Sequence, residues 1–353
     1  MAQSRGWIGR ALVAAGTTAA LLVGGLPGQA SSAPDAGSGL DAAAAASAVG
    51  TAHSHRTHGP DSVDLDRHGV AAAPFAADAE TPWSPADYDG ASYQRDRPDL
   101  AALAGLPMVH VVYVYPREKS SRLSAFGAMF QADARDASRL LKDQYGRGIR
   151  FDERPDTRTG RPPVVDITSF HSRYRTSELS GTNQFDVVAG EITGDGRFSN
   201  PDKKYVVFLD APSQYCGQGQ LAHDTQRSAA NANELRTVSI VYRPYDASDP
   251  TTGGFCRGRT MRHELGHNLG ALQAAAPNAF DGAHCDDSNE DTMCYVFTTA
   301  PDTGGATFDY GNDDYWDPVA AGGSAKLPWW TVNLSRFVCP PGGDCTKPNI
   351  AEY

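Results

Sequence analysis

Downstream of residue 97, apolar positions form several short continuous runs and one long periodic stretch. The runs are rich in β-branched and aromatic residues and predict strands at residues 108–115, 164–170, 205–209 and 238–242. The run at 205–209 is apolar throughout, as expected of a central strand that is covered on both faces. Residues 125–145 carry apolar side chains at helical spacing and predict an amphipathic helix between the first two strands.

The last predicted element is a helix over residues 260–270. Its apolar positions recur at helical spacing and would anchor one side in the core: Met261, Leu265, Leu269 and Leu272. Gly270 stands where the helix should stop, because glycine readily takes the left-handed conformation that ends helices. The order strand, helix, three strands and helix, followed by an irregular tail, predicts an α/β sheet domain and then a loop-rich region.

The first 96 residues lack this patterning. Two arginines precede a short apolar stretch, and residues 28–30 offer small side chains to a signal peptidase. Residues 1–30 are therefore interpreted as an export signal, because the apolar stretch is short for a membrane span of about 20 residues. Residues 31–96 are rich in Ala, Ser, Gly and Pro and predict a low-complexity linker or pro-segment.

A single domain, large enough to be catalytic, is expected over residues 97–353. It is expected to comprise a sheet subdomain to about residue 270 and a C-terminal subdomain over 271–353. All six cysteines lie in this domain, and an even count in an exported chain favours disulfides. The two short loops, and elimination for the last pair, predict three bridges: Cys285–Cys294, Cys339–Cys345 and Cys216–Cys256. The absence of a Cys-x-x-Cys pair argues against a cysteine zinc site.

Charge and missing motifs exclude several classes of function. The formal net charge of -11 is unfavourable for nucleic-acid binding, which needs a basic face. The sequence contains neither the Gly-x-Ser-x-Gly turn of serine hydrolases nor the Gly-x-x-x-x-Gly-Lys-Ser/Thr phosphate loop. No segment after the export signal is apolar and long enough to cross a bilayer.

The chemistry is predicted from His263-Glu264-Leu265-Gly266-His267. On an α-helix, two histidines four residues apart lie about 40° from each other, so both rings can reach one metal ion. Zinc lowers the pKa of a bound water to about 7, and the carboxylate between the histidines completes its activation as general base. This pattern indicates a zinc hydrolase with Glu264 as the catalytic base.

Together with Gly270, the motif reads His-Glu-x-x-His-x-x-Gly and resembles the metzincins, a clan of zinc endopeptidases. Thr292-Met293-Cys294-Tyr295 looks like the Met-turn of that clan. The tail, from His284-Cys285 to Asn312-Asp313-Asp314-Tyr315, is similar to a group of exported actinobacterial metallopeptidase-like proteins. The resemblance implies an α/β fold: a metzincin-like catalytic domain with a mixed twisted sheet, an active-site helix and a loop-rich, disulfide-linked C-terminal subdomain.

The sequence departs from the metzincin pattern at the third zinc ligand. The clan has a histidine three residues after the glycine, whereas this chain has Gln273, and a neutral amide is a poor zinc ligand. His284 is the first alternative, because a short disulfide at Cys285 would tie it next to the Met-turn. Asp287 is the second alternative and Gln273 itself the third.

Two further site predictions follow. In some metzincins a tyrosine two residues after the Met-turn methionine donates a hydrogen bond to the oxyanion, which makes Tyr295 a second catalytic candidate; a packed aromatic residue is the alternative. The run from Asp309 to Tyr315 is dense in oxygen donors, so Ca²⁺ is a candidate cofactor besides Zn²⁺. A hydrogen-bonded turn is the alternative interpretation of that run.

The sequence therefore predicts a secreted, extracellular, monomeric zinc endopeptidase that acts on protein or peptide substrates. It is expected to bind neither nucleic acid nor, after signal removal, a membrane. The strand at 238–242 is expected to line the cleft and pair with an extended substrate. Two alternatives stay open: an exported zinc-binding surface protein without proteolytic activity, and a zinc hydrolase of another amide.

Overall fold

The computed structural model describes residues 52–54, 103–155, 163–213, 215–244, 256, 258–294, 305–317 and 327–349. All of them belong to one compact unit, Ala42–Tyr353. The predicted export signal, most of the segment 31–96, and Tyr295 lie outside the described residues. Among the helices that are described, none is long and apolar enough to span a membrane.

A mixed sheet of six strands forms the centre of the protein, and a two-stranded ribbon lies apart from it. The strands are β1 (Ala52–Ser54), β2 (Met108–Tyr115), β3 (Glu153–Arg154), β4 (Val164–Val165), β5 (Ile167–His171), β6 (Lys203–Ser213), β7 (Gly217–Gln220) and β8 (Val238–Pro244). The large sheet has the order β1-β7-β8-β6-β2-β5, and β3 pairs with β4. Strands β2, β5, β6 and β8 are parallel, whereas β7 and β1 run antiparallel to their neighbours.

Three helices cover the two faces of this sheet: α1 (Leu123–Tyr145), α2 (Gln184–Gly194) and α3 (Arg259–Asn268). Successive side chains of β2 point to opposite faces, which is the expected period of a strand. Val111 therefore packs in the same cluster as α1 and α3, whereas Val112 packs in the cluster that contains α2. The core is thus divided into two layers by a sheet that is buried on both sides.

The predicted strands at 108–115, 205–209 and 238–242 and both predicted helices are present, with small changes in their ends. The run at 164–170 forms two strands because β4 turns away to pair with β3, and β5 continues beside β2. Sequence patterning missed β7 and α2. The prediction that the strand at 238–242 pairs with substrate is wrong, since β8 is bonded to β6 on one side and β7 on the other.

All three predicted disulfides are confirmed: Cys216–Cys256, Cys285–Cys294 and Cys339–Cys345. The first links the start of β7 to the chain that leads into α3, and the other two lie in the C-terminal region. Of the described residues after α3, only Val332–Leu334 form a helical turn, so the predicted loop-rich character of this region is also confirmed. Three bridges are consistent with an extracellular protein.

Candidate metal centre

Helix α3 is held on the sheet by its apolar side, and Gly270 follows its C-terminal end. Met261 and Leu265 are fully buried, and the helix packs on β7 and β8. Gly270 has a φ of +82°, as predicted for the residue that ends the helix. A Cβ at this position would also lie 2.7 Å from the Trp330 ring, whose Nε1 donates to the carbonyl oxygen of Leu269 at 3.0 Å.

Three histidine side chains converge beside this helix. His263, His267 and His284 each offer a ring nitrogen, and these nitrogens all lie within 4.8 Å of one another. The Nε2 atoms of His263 and His267 are 3.1 Å apart, and the three ring centroids are separated by 4.8 to 5.3 Å. All three residues are buried. The structure therefore brings the two motif histidines and His284 into one cluster.

In two of these rings, the Nδ1 nitrogen makes a hydrogen bond to another part of the chain. His263 Nδ1 lies 2.8 Å from the carbonyl oxygen of Thr292, and His284 Nδ1 lies 2.6 Å from Asp281 Oδ2. A partner on one ring nitrogen orients the ring and makes the other nitrogen the metal ligand. In both residues that ligand atom is Nε2.

Asp281 is itself held in place by the chain around His284. Its Oδ1 accepts hydrogen bonds from the backbone N–H groups of Ala283 at 2.9 Å and His284 at 2.8 Å. Burial alone would raise the pKa of this carboxyl, but the hydrogen bond and the charge of His284 outweigh burial and hold the pKa well below its usual range. Asp281 is therefore a carboxylate that orients His284 and increases its basicity.

The disulfide next to His284 brings it to the helix. Cys285 is bonded to Cys294, and the backbone N–H of Cys285 donates to the carbonyl oxygen of Met293 at 3.4 Å. Met293 in turn packs closely against α3 at Gly266. A Cβ at Gly266 would lie only 2.6 Å from the sulfur of Met293. Gly266 is thus a close-contact position between the two motif histidines, and the residue beneath it is the methionine of the predicted Met-turn.

Glu264 lies on the side of α3 that faces β7. It is 1% exposed, and a Cβ at Gly217 would lie 2.6 Å from its Cδ atom. A Cβ at Gly219 would lie 2.6 Å from its carbonyl oxygen and 2.9 Å from the Cβ of His267. The two alternate glycines of β7 therefore provide the space in which the predicted base and one predicted ligand sit. Glycine at alternate strand positions is a sequence signal for such a close approach.

The other candidates for the third ligand lie elsewhere. Gln273 is fully buried, and its Nε2 donates to the carbonyl oxygens of Ala222 at 3.2 Å and Gly270 at 3.0 Å. Asp287 groups with Asp313 and Asp314, or with the Cys285–Cys294 bridge, and not with the motif histidines. Tyr295 cannot be placed relative to the centre because it lies outside the described residues.

The acidic run at 309–315 is closed by hydrogen bonds within the chain. Asp309 Oδ2 accepts from the backbone N–H groups of Tyr315, at 2.8 Å, and of Trp316, which is the turn that the sequence offered as the alternative. Asp313 and Asp314 nevertheless share a group with Asp287, with carboxylate oxygens within 4.8 Å of one another. Burial raises the pKa of Asp314 to about 6. Calcium binding at this loop stays a prediction.

The donor set of the histidine cluster fits zinc. With Zn–N distances of about 2.0–2.1 Å, two ligands of a tetrahedral ion are about 3.3 Å apart, close to the observed 3.1 Å between the two Nε2 atoms. Among the described residues, no fourth His, Cys, Asp or Glu belongs to this cluster. Three protein ligands with an open fourth position are typical of catalytic zinc sites, whereas structural sites have four.

A second buried group, His110 with Asp152 and Asp166, does not fit a metal in the same way. The Lys203 ammonium donates to Asp152 Oδ2 at 2.5 Å, and both ring nitrogens of His110 are hydrogen-bonded, to Asp152 and to Thr168. A lysine cation at the carboxylate would repel a metal ion. This group is a buried hydrogen-bonding network that joins β2, β5 and β6.

Comparisons with known proteins leave the assignment to the site itself. Neither a protein-family model nor a curated protein matches the chain. Among solved structures, it is similar to metalloproteinase-II from Bacteroides fragilis, with 14% identity and a TM-score of 0.30, over 59% of this chain and 51% of that one. The chain thus spans about half the length of that metalloproteinase. This similarity is too low to assign a function to the chain.

Proposed function

We propose that this protein is a secreted zinc-dependent endopeptidase, with His263, His267 and His284 as the metal ligands. The observation that carries the proposal is the convergence of these three ring nitrogens within 4.8 Å, next to a buried glutamate on the same helix. Peptide bonds are the proposed substrate class because the motif resembles that of the metzincins.

Zinc at this centre would acidify water and polarise a carbonyl group. Glu264 removes the proton from the attacking water and returns it to the leaving nitrogen, the two roles of a general base that becomes a general acid. Gly217 and Gly219 have no side chains, and this leaves the space against β7 in which the carboxylate of Glu264 lies. Asp281 and the Thr292 carbonyl group keep two of the imidazoles oriented towards a common point. Tyr295 is proposed as a donor to the oxyanion.

The proposal is tested by Glu264→Gln in the full chain. The amide is nearly equal in size to the carboxylate, so the variant should still bind one zinc ion per chain. Its rate of peptide-library hydrolysis should fall by about 10²–10⁴-fold. Zinc is measured by mass spectrometry of the metal, and the digest is run with and without a chelator. A variant that still cleaves at the parent rate would show that Glu264 is not the base.

The two alternatives give different results in the same experiment. A protein that keeps zinc only for structure would bind metal but cleave no peptide in its parent form. A hydrolase of another amide would leave the peptide library intact and release product from non-peptide amides in a chelator-sensitive way. The number of coordinated waters separates the structural alternative further, because a site closed by four protein ligands has none.

A further inference from the structure

Three cationic side chains meet at one buried carboxylate near the carboxyl ends of β2, β6 and β8. Asp210 in β6 is fully buried and accepts hydrogen bonds from Arg122 Nε at 2.8 Å and from Arg243 Nη1 at 3.1 Å. The hydroxyl group of Tyr113 in β2 donates to the same carboxylate at 2.8 Å. Lys119 Nζ donates to the carbonyl oxygen of Asp210 at 3.3 Å. We call Lys119, Arg122 and Arg243 the cation cluster.

An irregularity in β6 accompanies this cluster. The register of β6 against β8 shifts between Leu209 and Pro212, which face consecutive residues of β8. Asp210 is one of the two extra residues and therefore lies in a bulge. Bulges redirect side chains and are common next to active sites. The carboxyl ends of parallel strands are also where ligands bind in open α/β sheets.

The cluster has more positive than negative charge. Three positive charges against the one negative charge of Asp210 leave +2, in a chain whose formal net charge is -11. Tyr113 adds no negative charge, because burial and the neighbouring Asp210 hold its pKa well above the usual range. Glu118 is turned to Thr176, from whose backbone N–H it accepts a hydrogen bond at 2.9 Å.

The cations can be reached from solvent although their shared carboxylate cannot. The side chains of Arg122 and Arg243 are 37% and 29% exposed, whereas that of Asp210 is 0% exposed. Burial lowers the pKa of Lys119, and the charges of both arginines lower it further against the opposing effect of Asp210. A second anion at the exposed side of the cluster would relieve this repulsion.

The cluster lies on the same side of the sheet as the candidate metal centre. Val241 is paired with Gly217, the glycine whose would-be Cβ meets Glu264, and packs in the same core layer as α3. Arg243 is two residues further along β8, so it shares that face about 7 Å along the strand. A peptide extends about 3.3 Å per residue, so a carboxylate a few residues from a bond held at the centre can reach the cluster.

We propose that the cation cluster is a subsite that binds a carboxylate of the peptide substrate, either an acidic side chain or the terminal carboxylate. The role in catalysis rests on the proposed peptidase function, whereas the binding of a carboxylate does not. Guanidinium groups bind carboxylates through paired hydrogen bonds. Asp210 holds the two arginines in place for this contact and leaves positive charge in excess.

Pairs of peptides that differ in one charge test the subsite. In one set, a single internal residue is Glu or Gln and is moved along the peptide; in the other, the C-terminus is a free carboxylate or an amide. The variants of the full chain are Lys119→Gln, Arg243→Gln and Arg243→Lys. Lys142→Gln, at an exposed lysine in the last turn of α1, is the matched control.

Lys119→Gln keeps the test valid where Arg243→Gln folds poorly. Lys119 donates to a backbone oxygen of Asp210, so its replacement leaves the carboxylate bonded to both arginines. Hydrolysis of each pair is measured as kcat/KM in the active background. Binding of the same pairs is measured by calorimetry in a Glu264→Gln background, in which the peptide is not consumed.

The parent should favour the carboxylate member over the neutral member in both measurements. The position at which it does so distinguishes a side chain from the terminal carboxylate. This preference should fall by about 3- to 10-fold in Lys119→Gln and in Arg243→Gln, because each removes one charged contact. Arg243→Lys should keep part of it, and Lys142→Gln should match the parent. Zinc content should not change.

Different outcomes overturn different parts. The subsite is refuted by a parent without preference for the carboxylate, or by a preference that persists unchanged in both Lys119→Gln and Arg243→Gln. A preference in binding but not in hydrolysis, in a protein that cleaves these peptides, would overturn the role in substrate recognition. If the parent cleaves none of the peptides while Lys119-dependent binding of the carboxylate member persists, the proposed peptidase function fails and the carboxylate site stands.

Discussion

Replacing Gly217 by alanine should separate catalysis from metal binding. The new Cβ would lie 2.6 Å from Cδ of Glu264, about 1 Å closer than carbon atoms approach at their optimal separation. Glu264 is 1% exposed, so its carboxylate has little room and must leave its position against β7. The three atoms nearest to this Cβ all belong to Glu264, so the substitution acts first on the base, and zinc should stay bound.

The magnitudes follow from these contacts. Overpacking by one methyl group should lower the free energy of unfolding by about 1–3 kcal/mol. Displacing the general base should lower kcat by about 10²–10⁴-fold while zinc content and KM change little. Steady-state kinetics on a peptide substrate, zinc analysis and urea unfolding of the same preparations measure the three quantities.

Two other glycines provide the comparison. A Cβ at Gly219 would lie 2.6 Å from the backbone oxygen of Glu264 and 2.9 Å from the Cβ of His267, so Gly219→Ala should displace the helix and weaken zinc binding as well. Gly190 lies in α2 with nothing within 4 Å of its would-be Cβ, and Gly190→Ala should stabilise the helix by about 0.5–1 kcal/mol at unchanged activity. A Gly217→Ala protein with full kcat, or with zinc loss equal to that of Gly219→Ala, would refute the reasoning.

Three further predictions concern the metal ligand, the bridge beside it and a buried acid. His284→Ala should lose zinc, whereas Gln273→Ala should keep it, as metal analysis after gel filtration will report; the reverse result would move the third ligand to Gln273. Replacing Cys285 and Cys294 together by alanine should lower the free energy of unfolding by about 2–3 kcal/mol and weaken zinc binding, and unchanged metal affinity would count against the role of the bridge in placing His284. Burial raises the pKa of Asp291 to about 7, against about 3.9 in an unfolded chain, so the folded state holds a proton that the unfolded state releases. The Tm of the metal-free parent relative to that of Asp291→Asn should therefore fall as the pH rises from about 4 to 7, and a difference that grows in favour of the parent across this window would contradict the assignment.

Local patterning was sufficient for most elements of the sheet domain. Apolar β-branched runs predicted β2, β6 and β8, and helical spacing predicted α1 and α3. In each of these elements the spacing of the apolar residues shows which side faces the core. The three disulfides were also predicted. Two of these disulfides each close a short loop, and the third pair followed by elimination. The motif histidines and Glu264 were identified because a helix places residues four apart on one side.

Other features depended on partners that are distant in the chain. The Gly-Gln-Gly-Gln sequence of β7 has no strand pattern, and it is a strand because β8 offers main-chain hydrogen bonds to it. The Thr292 carbonyl group has no recognisable motif, and it orients a ring only because the folded loop brings it to His263.

The difference has one physical reason. Side-chain periodicity records which face of an element is buried, so helices, most strands and the His-Glu-x-x-His geometry follow from the residues alone. Which strand lies at the edge, what covers that edge, and which of three candidates completes the histidine cluster depend on packing between segments far apart in sequence. Only the tertiary structure made β8 an interior strand, put β1 on the edge of β7 and brought His284 to the two histidines of α3.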